Sequence, residues 1–259
     1  MSTVLYDSPV FGPVHSRRLG ISLGINLMPS DGKVCDFDCI YCECGFNKDH
    51  VTHSPRPTRQ QVAEALEKRL AEMREKDQLP DVITFSGNGE PTGHPDFPDI
   101  IEDTLRLRDE YCPHTKVSVL SNATMLMRPG VHAALMKVDN NIQKLDTVDA
   151  DYIQKVDRPT RSTYRVGQVI EDLKDFHGHV IVQTMFLKGS IDGKDVDNTG
   201  DEYVKPWLKA LVKIQPRQVM VYTIDRETPD QDLRKATPEE LDAISDKVRE
   251  LGIMCETSY

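Results

Sequence analysis

The sequence predicts an α/β protein built on a mostly parallel sheet, and three observations predict it. Short, nearly unbroken apolar runs recur along the chain, helical patterns with readable ends separate them, and glycine-rich or polar residues collect just after each run. Runs of that kind suit strands covered on both faces by crossover helices, because a half-exposed strand alternates apolar and polar residues.

The elements follow in order. An early strand lies within LGISLGINL (19–27). Five more are DVITFS (81–86), KVSVLS (116–121), IQKL (142–145), HVIVQTMF (179–186) and RQVMVYT (217–223), all short and most rich in β-branched residues. Thr58 and Gln61 form a capping box ahead of Val62, Leu66, Leu70 and Met73, which share one helical face. Thr237, Pro238 and Glu240 open another helix carrying Leu241, Ile244, Val248 and Leu251, and Gly252 stops it. DGKDVDNTGDE (192–202) is the one long polar stretch and reads as a surface loop within a single domain spanning 1–259. Six strands, each followed by a helix, imply parallel pairing through right-handed crossovers. An open doubly wound sheet and a full or partial barrel both satisfy that pattern, and in both the loops after the strands' carboxyl ends form the site.

Composition narrows the function classes. With 259 residues and 38% apolar content the chain can bury a sizeable core. Its 32 basic and 42 acidic residues leave a formal charge of −10, which repels polyanions and disfavours nucleic acid relative to a small-molecule or protein substrate. The first residues lack an apolar signal-type region and no stretch is long and apolar enough for a membrane span, so a cytoplasmic protein is expected. In that reducing compartment a tight group of cysteines points to metal or catalysis rather than disulfides.

Following the strand ends gives the candidate site. After the first strand comes CDFDCIYC with Cys35, Cys39 and Cys42; then Ser86, Gly87, Asn88, Gly89, Glu90 and Pro91; then Ser121 and Asn122; then Asp146; then Lys188 and Gly189; then Thr223 to Arg226. Three thiolates leave a tetrahedral zinc one ligand short, yet they can hold three corners of a four-iron cluster and leave the fourth iron open. Cys44 could supply a fourth thiolate, which keeps a zinc knuckle as the rival reading, with unliganded thiols as a third; Cys112 and Cys255 read as ordinary buried thiols. In GNGEP the glycines expose backbone to a ligand and Glu90 offers charge to an amine, although a plain turn explains the loop taken alone. Beside the thiol triad, an amino acid chelating the open iron would find its amine partner there.

Other residues carry weaker signals. Arg17 and Arg18 could fork a carboxylate or phosphate, or form a solvated pair. Alternation directs Lys144 and Asp146 to one face, as an internal salt bridge or with Asp146 reaching the pocket. The eight histidines show no metal-type pairing, and His177 and His179 flank a helix-to-strand turn where exposure is expected.

These residues resemble the radical SAM superfamily: CxxxCxxC with Tyr41 before its last cysteine, then a strand ending in a Gly-Gly-Glu-type motif, here GNGEP. GPVHSRRLGISLGIN, KLDTVDADYIQKVDRPT, VQTMFLKG and VYTIDRETP resemble the branch that includes wyosine-type tRNA-base synthases. The resemblance implies a partial (β/α)6 barrel of the TIM type, a 4Fe-4S cluster on Cys35, Cys39 and Cys42, and S-adenosyl-L-methionine (SAM) on the unique iron. It further implies that Gly87, Asn88, Gly89 and Glu90 receive the SAM amine, that the Tyr41 backbone lies near adenine, and that Ser121 and Asn122 meet ribose or carboxylate. Asp146, Gln183 and Tyr222 become candidates for the cofactor or substrate pocket.

The implied activity is reductive SAM cleavage to a 5′-deoxyadenosyl radical that abstracts hydrogen from a small-molecule or protein substrate, with flavodoxin or ferredoxin as a type of electron donor. Wyosine synthases add a second cluster on upstream cysteines, and no cysteine precedes Cys35 here, so tRNA-base modification is the alternative rather than the leading expectation. A non-catalytic iron–sulfur or zinc sensor is the alternative of another class.

Overall fold

The computed structural model describes residues 3–16 and 19–259. Arg17 and Arg18 lie outside the described residues. The expected strands form: β2 (Gly20–Ile25), β3 (Val82–Phe85), β4 (Lys116–Ser121), β5 (Asn140–Lys144), β6 (Ile181–Met185) and β9 (Gln218–Tyr222) pair side by side in that order, every pair parallel. Two further strands extend the row. β1 (Val10–Ser16) pairs antiparallel with β2, and β11 (Met254–Ser258) pairs parallel with β9. The resulting eight-stranded sheet curls into a partial barrel with β1 and β11 as its edges.

The two additions were illegible because edge strands lack continuous apolar runs. β1 contains Pro13, which a central strand would not tolerate, and only Phe11 in it is buried. In β11, Cys255 is buried while Met254 and Glu256 are exposed. The stretch expected as a surface loop over 192–202 is also more structured. β7 (Leu187–Ile191) turns back on β8 (Lys194–Asp195), and β10 (Leu233–Lys235) pairs with the other side of β7. One helix already begins at Asp201.

Among the described residues seven α-helices complete the fold: α1 (Arg59–Glu75), α2 (Phe97–Tyr111), α3 (Val131–Leu135), α4 (Ala150–Val156), α5 (Val166–Lys174), α6 (Asp201–Ile214) and α7 (Pro238–Glu250). The capping boxes of α1 at Thr58 and of α7 at Thr237 form as expected, and each satisfies orphan N–H groups of a first turn. The sequence's apolar helical faces are the buried ones, Val62, Leu66, Leu70 and Met73 on α1 and Leu241, Ile244 and Val248 on α7. Leu251 is the exception, exposed at the C-cap. These faces join Leu23, Ile25, Ile83, Phe85, Val117, Val119, Val182, Val219 and Val221 in one core between sheet and helices.

The other face of the sheet lines the barrel's interior. Ile142, Ile181 and Met220 pack there against Leu19 and Leu120 as an apolar floor, and the Ser22 hydroxyl donates to Thr84 Oγ1 at 2.8 Å. Among the described residues no helix is long and apolar enough to cross a membrane.

Candidate functional site

Two loops meet at the carboxyl ends of β2 and β3. The cysteine loop leaves β2, and the GNGEP loop leaves β3. Their backbones form an isolated parallel bridge, Val34 with Gly89: Val34 N donates to Asn88 O at 2.9 Å and Glu90 N donates to Val34 O at 3.2 Å. Gly89 has φ +142°, and a Cβ there would overlap the Val34 carbonyl oxygen. Gly87, at φ +120°, meets the Asn26 side chain less closely, 2.8 Å from the Cβ position to Cγ. Both glycines therefore serve loop-to-loop contact first, where the sequence suggested contact with a ligand.

Asn88 is likewise turned into the protein. Fully buried, it donates to Tyr6 O and Pro29 O at 2.9 Å each and accepts from Tyr6 N at 2.8 Å. Asn26, which sequence reading passed over, answers it by accepting from Asn88 N at 3.2 Å and Met28 N at 3.0 Å. The pair fastens the segment before β1 to the site. An asparagine directly after a strand, here Asn26 after β2, was the available signal.

Cys35, Cys39 and Cys42 are partly exposed and free. Around them the loop's own acids are turned to structural work. Asp36 accepts from Asn122 Nδ2 at 2.7 Å and Thr124 Oγ1 at 2.6 Å, and Asp38 accepts from Asn47 N at 2.7 Å and lies 3.6 Å from Lys33 Nζ. Lys33 is buried and donates to Gly45 O at 2.7 Å. Burial works against its charge, but Cys42, Cys35, Cys39 and Asp38 together hold its pKa above the usual lysine value. A buried ammonium within electrostatic reach of three thiols is what an anionic, thiolate-ligated group needs.

The thiols differ. Desolvation pushes Cys35 up to about 12 and raises Cys39 well above the usual thiol value, so metal charge would be required to keep them as thiolates. Cys42 is drawn down to about 6, chiefly by a hydrogen bond from Cys44, with Lys33 assisting against burial. Cys44 itself is buried and donates to Gly87 O at 3.4 Å, so it packs toward the GNGEP loop. Among the described residues no three Cys, His, Asp or Glu side chains converge closely enough to hold a single metal ion. A cluster makes no such demand, since each thiolate binds its own iron. The donor set fits a 4Fe-4S cluster better than the zinc knuckle that Cys44 left open.

Glu90 is buried beside this loop. Its Oε1 accepts from Thr92 N at 3.0 Å and Thr92 Oγ1 at 2.6 Å, and its Oε2 accepts from Asn122 N at 2.6 Å. Desolvation outweighs these bonds and lifts its pKa to about 7. Asn122 also points Nδ2 at Cys35 Sγ, 3.7 Å away, while Ser121 Oγ accepts from Ala123 N at 3.1 Å. Cys35, Glu90 and Asn122 are thus brought together as the sequence expected.

Tyr41, Lys144 and Asp146 meet as well, with a partner the sequence did not reveal. Tyr41 Oη donates to Asp146, Lys144 Nζ contacts both, and Asp157 lies 3.0 Å from Lys144 Nζ and accepts from Tyr41 Oη at 3.4 Å. Asp146 Oδ1 also accepts from Met185 N at 2.9 Å. Asp146 is therefore committed to the internal salt bridge, which was one of its two readings. Desolvation raises Asp157 to about 7, and burial is overcome at Lys144 by Asp146, Asp157 and Cys39, which hold the ammonium charged. Asp157 escaped notice because it follows α4, 116 residues from Tyr41. Gln183 and Tyr222 face the interior near this group, on strands paired with β5 and β6. Lys188 lies outside it, paired with Asp197 at 3.3 Å and with Glu240. His179 is half-buried against Val138 O at 2.9 Å, whereas His177 is exposed as expected.

A cavity of about 300 Å³ opens from the thiols into the barrel interior, touching Cys42, Cys44, Ser86 and Gly87 on one side and His15, Ser22 and Leu120 on the other. Arg226 crosses its mouth: Nη1 donates to Glu43 Oε2 and Tyr6 Oη at 2.6 Å each. A larger cavity of about 520 Å³, lined by Cys112 among others, lies at the amino ends of β3 and β4, away from the cysteine loop, and loop geometry in parallel α/β folds favours the smaller one.

Comparison with known proteins agrees with this geometry. The profile of the Radical SAM superfamily matches residues 30–202. The chain is 29% identical over 236 residues to a GTPase Obg of Brachyspira hyodysenteriae, covering 90% of this chain and 32% of that one. It is 30% identical over 224 residues to a UPF0026 protein of Helicobacter pylori, covering 84% of this chain and 66% of that one. It thus spans about a third of the first relative and just under two thirds of the second. Streptococcus suis SuiB bound to S-adenosylmethionine superposes with a TM-score of 0.63 at 15% identity, over 88% of this chain and 49% of that one. TYW1 with a lysine-pyruvate adduct bound gives 0.61 at 12% identity, over 88% and 73%. Proteins of the matched superfamily use a 4Fe-4S cluster and SAM, a pair for which the thiol triad, Lys33 and Glu90 are suitably placed. By the profile over two thirds of its length, and with a partial barrel carrying the thiols at its carboxyl rim, this chain belongs to the radical SAM superfamily of enzymes.

Proposed function

We propose that this enzyme cleaves SAM reductively and uses the product to take a hydrogen atom from a small polar molecule or a protein side chain held in the barrel. One observation carries the reading: the Val34–Gly89 bridge joins the cysteine loop to the loop of Glu90, and a cavity of about 300 Å³ lined by Cys42 and Gly87 opens beside them. When bound, the reduced 4Fe-4S cluster supplies the electron that splits the sulfonium of SAM into methionine and a 5′-deoxyadenosyl radical.

The chain's own residues bind and orient. Cys35, Cys39 and Cys42 are the ligands, and Lys33 offsets their negative charge from a buried position. Glu90 accepts from the SAM amine with lone pairs left beyond its bonds to Thr92 and Asn122, and Asn122 adds a polar edge beside Cys35. Gly87 and Asn88 contribute by shaping that loop, and the Tyr41 backbone borders adenine while its side chain anchors to Asp146. Gln183 and Tyr222 face the same interior, and Ile142, Ile181 and Met220 form its apolar floor.

The test is anaerobic reconstitution with iron and sulfide, followed by electron paramagnetic resonance of the reduced protein with and without SAM. A spectrum altered by SAM, together with formation of 5′-deoxyadenosine, is the expected result. Protein with a verified full cluster whose spectrum ignores SAM would overturn it.

A further inference from the structure

The cavity of about 300 Å³ that opens beside Cys42 and Cys44 shares little with the residues expected to hold SAM. Gly87 lines it, but Tyr41, Glu90, Ser121, Asn122 and Gln183 do not. Room is left next to the thiols for a second molecule. The buried part of the wall is uncharged: Phe11 is apolar, and Ser22 and Thr84 bond each other at 2.8 Å, with Leu120 half-buried beside them. Apart from exposed His15, charge gathers at the mouth, where Arg226 and Asp225 follow β9 and Glu43 comes from the cysteine loop. Asp225 has Lys235 4.0 Å away.

Arg226 and Glu43 are only half used by each other. Arg226 makes both its contacts through Nη1, donating to Glu43 Oε2 and Tyr6 Oη at 2.6 Å each. Its Nη2 and Nε have no partner among the described residues, and neither has Glu43 Oε1. A guanidinium edge matches the two oxygens of a carboxylate, so the unused edge is a ready anion fork. Tyr6 Oη donates to Glu43 Oε2 at 3.0 Å and fixes that carboxylate; burial and Glu43 push the phenol up to about 12, which keeps its proton in place. With side chains 46% and 44% exposed, the pair adds little to stability, yet it stands where a ligand enters the cavity.

We propose that Arg226 and Glu43 hold the two charged ends of a free α-amino acid with an uncharged side chain, and that this amino acid is the substrate. Its carboxylate lies on the Nη2–Nε edge of Arg226, its ammonium on Glu43 Oε1, and its side chain runs past Phe11 toward Ser22, Thr84 and Leu120. The inference rests on the reading of the enzyme given above and names the small polar molecule that reading leaves open. In the radical step one C–H bond of the amino acid breaks, the C5′–H bond of 5′-deoxyadenosine forms, and the unpaired electron passes to the substrate carbon. A phosphate ester fits less well, because its second negative charge would meet Glu43 and Asp225. A protein side chain brings no carboxylate and ammonium on one carbon.

The test titrates the reconstituted holoenzyme, loaded with SAM and without reductant, by calorimetry with each amino acid of uncharged side chain. At least one should bind. Its amide, which lacks the carboxylate, and its N-acetyl form, which lacks the ammonium, should each bind at least about tenfold more weakly. Arg226→Gln should weaken the same amino acid about tenfold or more, and Arg226→Lys should weaken it less. Under dithionite that amino acid, perdeuterated, should pass deuterium into 5′-deoxyadenosine. Equal binding of acid and amide would overturn the proposal, and this comparison needs no variant, so it decides even where a substitution disturbs the cysteine loop. Binding of a peptide but of no free amino acid would assign the cavity to a protein substrate and overturn it. If no amino acid binds to protein whose paramagnetic resonance responds to SAM, this proposal falls alone; if the spectrum ignores SAM, the underlying reading falls with it.

Discussion

The Val34 carbonyl oxygen occupies the space where a side chain on Gly89 would begin. That contact joins the cysteine loop to the GNGEP loop through two backbone hydrogen bonds of 2.9 and 3.2 Å. Gly89→Ala should therefore separate the loops, at a cost of about 2 kcal/mol or more from backbone strain and overlap. The expected outcome is a lowered melting temperature and, after reconstitution, less than about half the wild-type iron per chain. Full iron content with unchanged melting would show that the bridge does not hold the ligand loop.

Cys44 separates the cluster from zinc. It donates to Gly87 O at 3.4 Å, toward the GNGEP loop, although Cys42 and Lys33 act on it as well. Alanine at Cys35, Cys39 or Cys42 should abolish the brown chromophore, and Cys44→Ala should retain it. Chelated zinc that disappears equally in all four variants would restore the knuckle.

Glu90 makes SAM affinity depend on pH. Burial holds its pKa at about 7, so below that value the folded carboxyl is protonated and must lose a proton to accept from the amine. Affinity should be level just above pH 7 and fall as pH drops, by up to about tenfold per unit. Glu90→Gln should bind weakly with a flat profile while the cluster absorbance persists, measured by calorimetry across pH 6 to 7.5 at roughly constant ionic strength. A wild-type profile as flat as the variant's would remove Glu90 from the amine site and strengthen the sensor alternative.

Lys144 neutralises two buried carboxylates, Asp146 and Asp157. Lys144→Met strands both and should cost about 3–5 kcal/mol in denaturant unfolding of the apoprotein. Lys144→Met combined with Asp146→Asn should be less destabilised than the single variant, because one stranded charge is gone. Additive losses would mean the residues do not act as one network.

Much of this was legible in the sequence. Runs such as KVSVLS are apolar along their length because helices cover the sheet, so β4 appeared at 116–121 as expected. Thr58 and Thr237 announced their helices because a cap is decided within one turn of chain. The glycine loop and Asn122 lie within a few residues of strand ends, and the cysteine triad lies in the loop that follows β2, where parallel folds place function.

What the sequence by itself determined was the class of fold, the thiol triad and the rim on which it sits, since each depends on short-range pattern. Only the tertiary structure decided what individual polar side chains do. Gly89 yields to Val34, Asn88 holds Tyr6 and Pro29, and Tyr41 reaches Asp157 and Asp146, across separations of up to 116 residues. Buried polar groups must find partners wherever the chain brings them, and no local spacing records which partner that is.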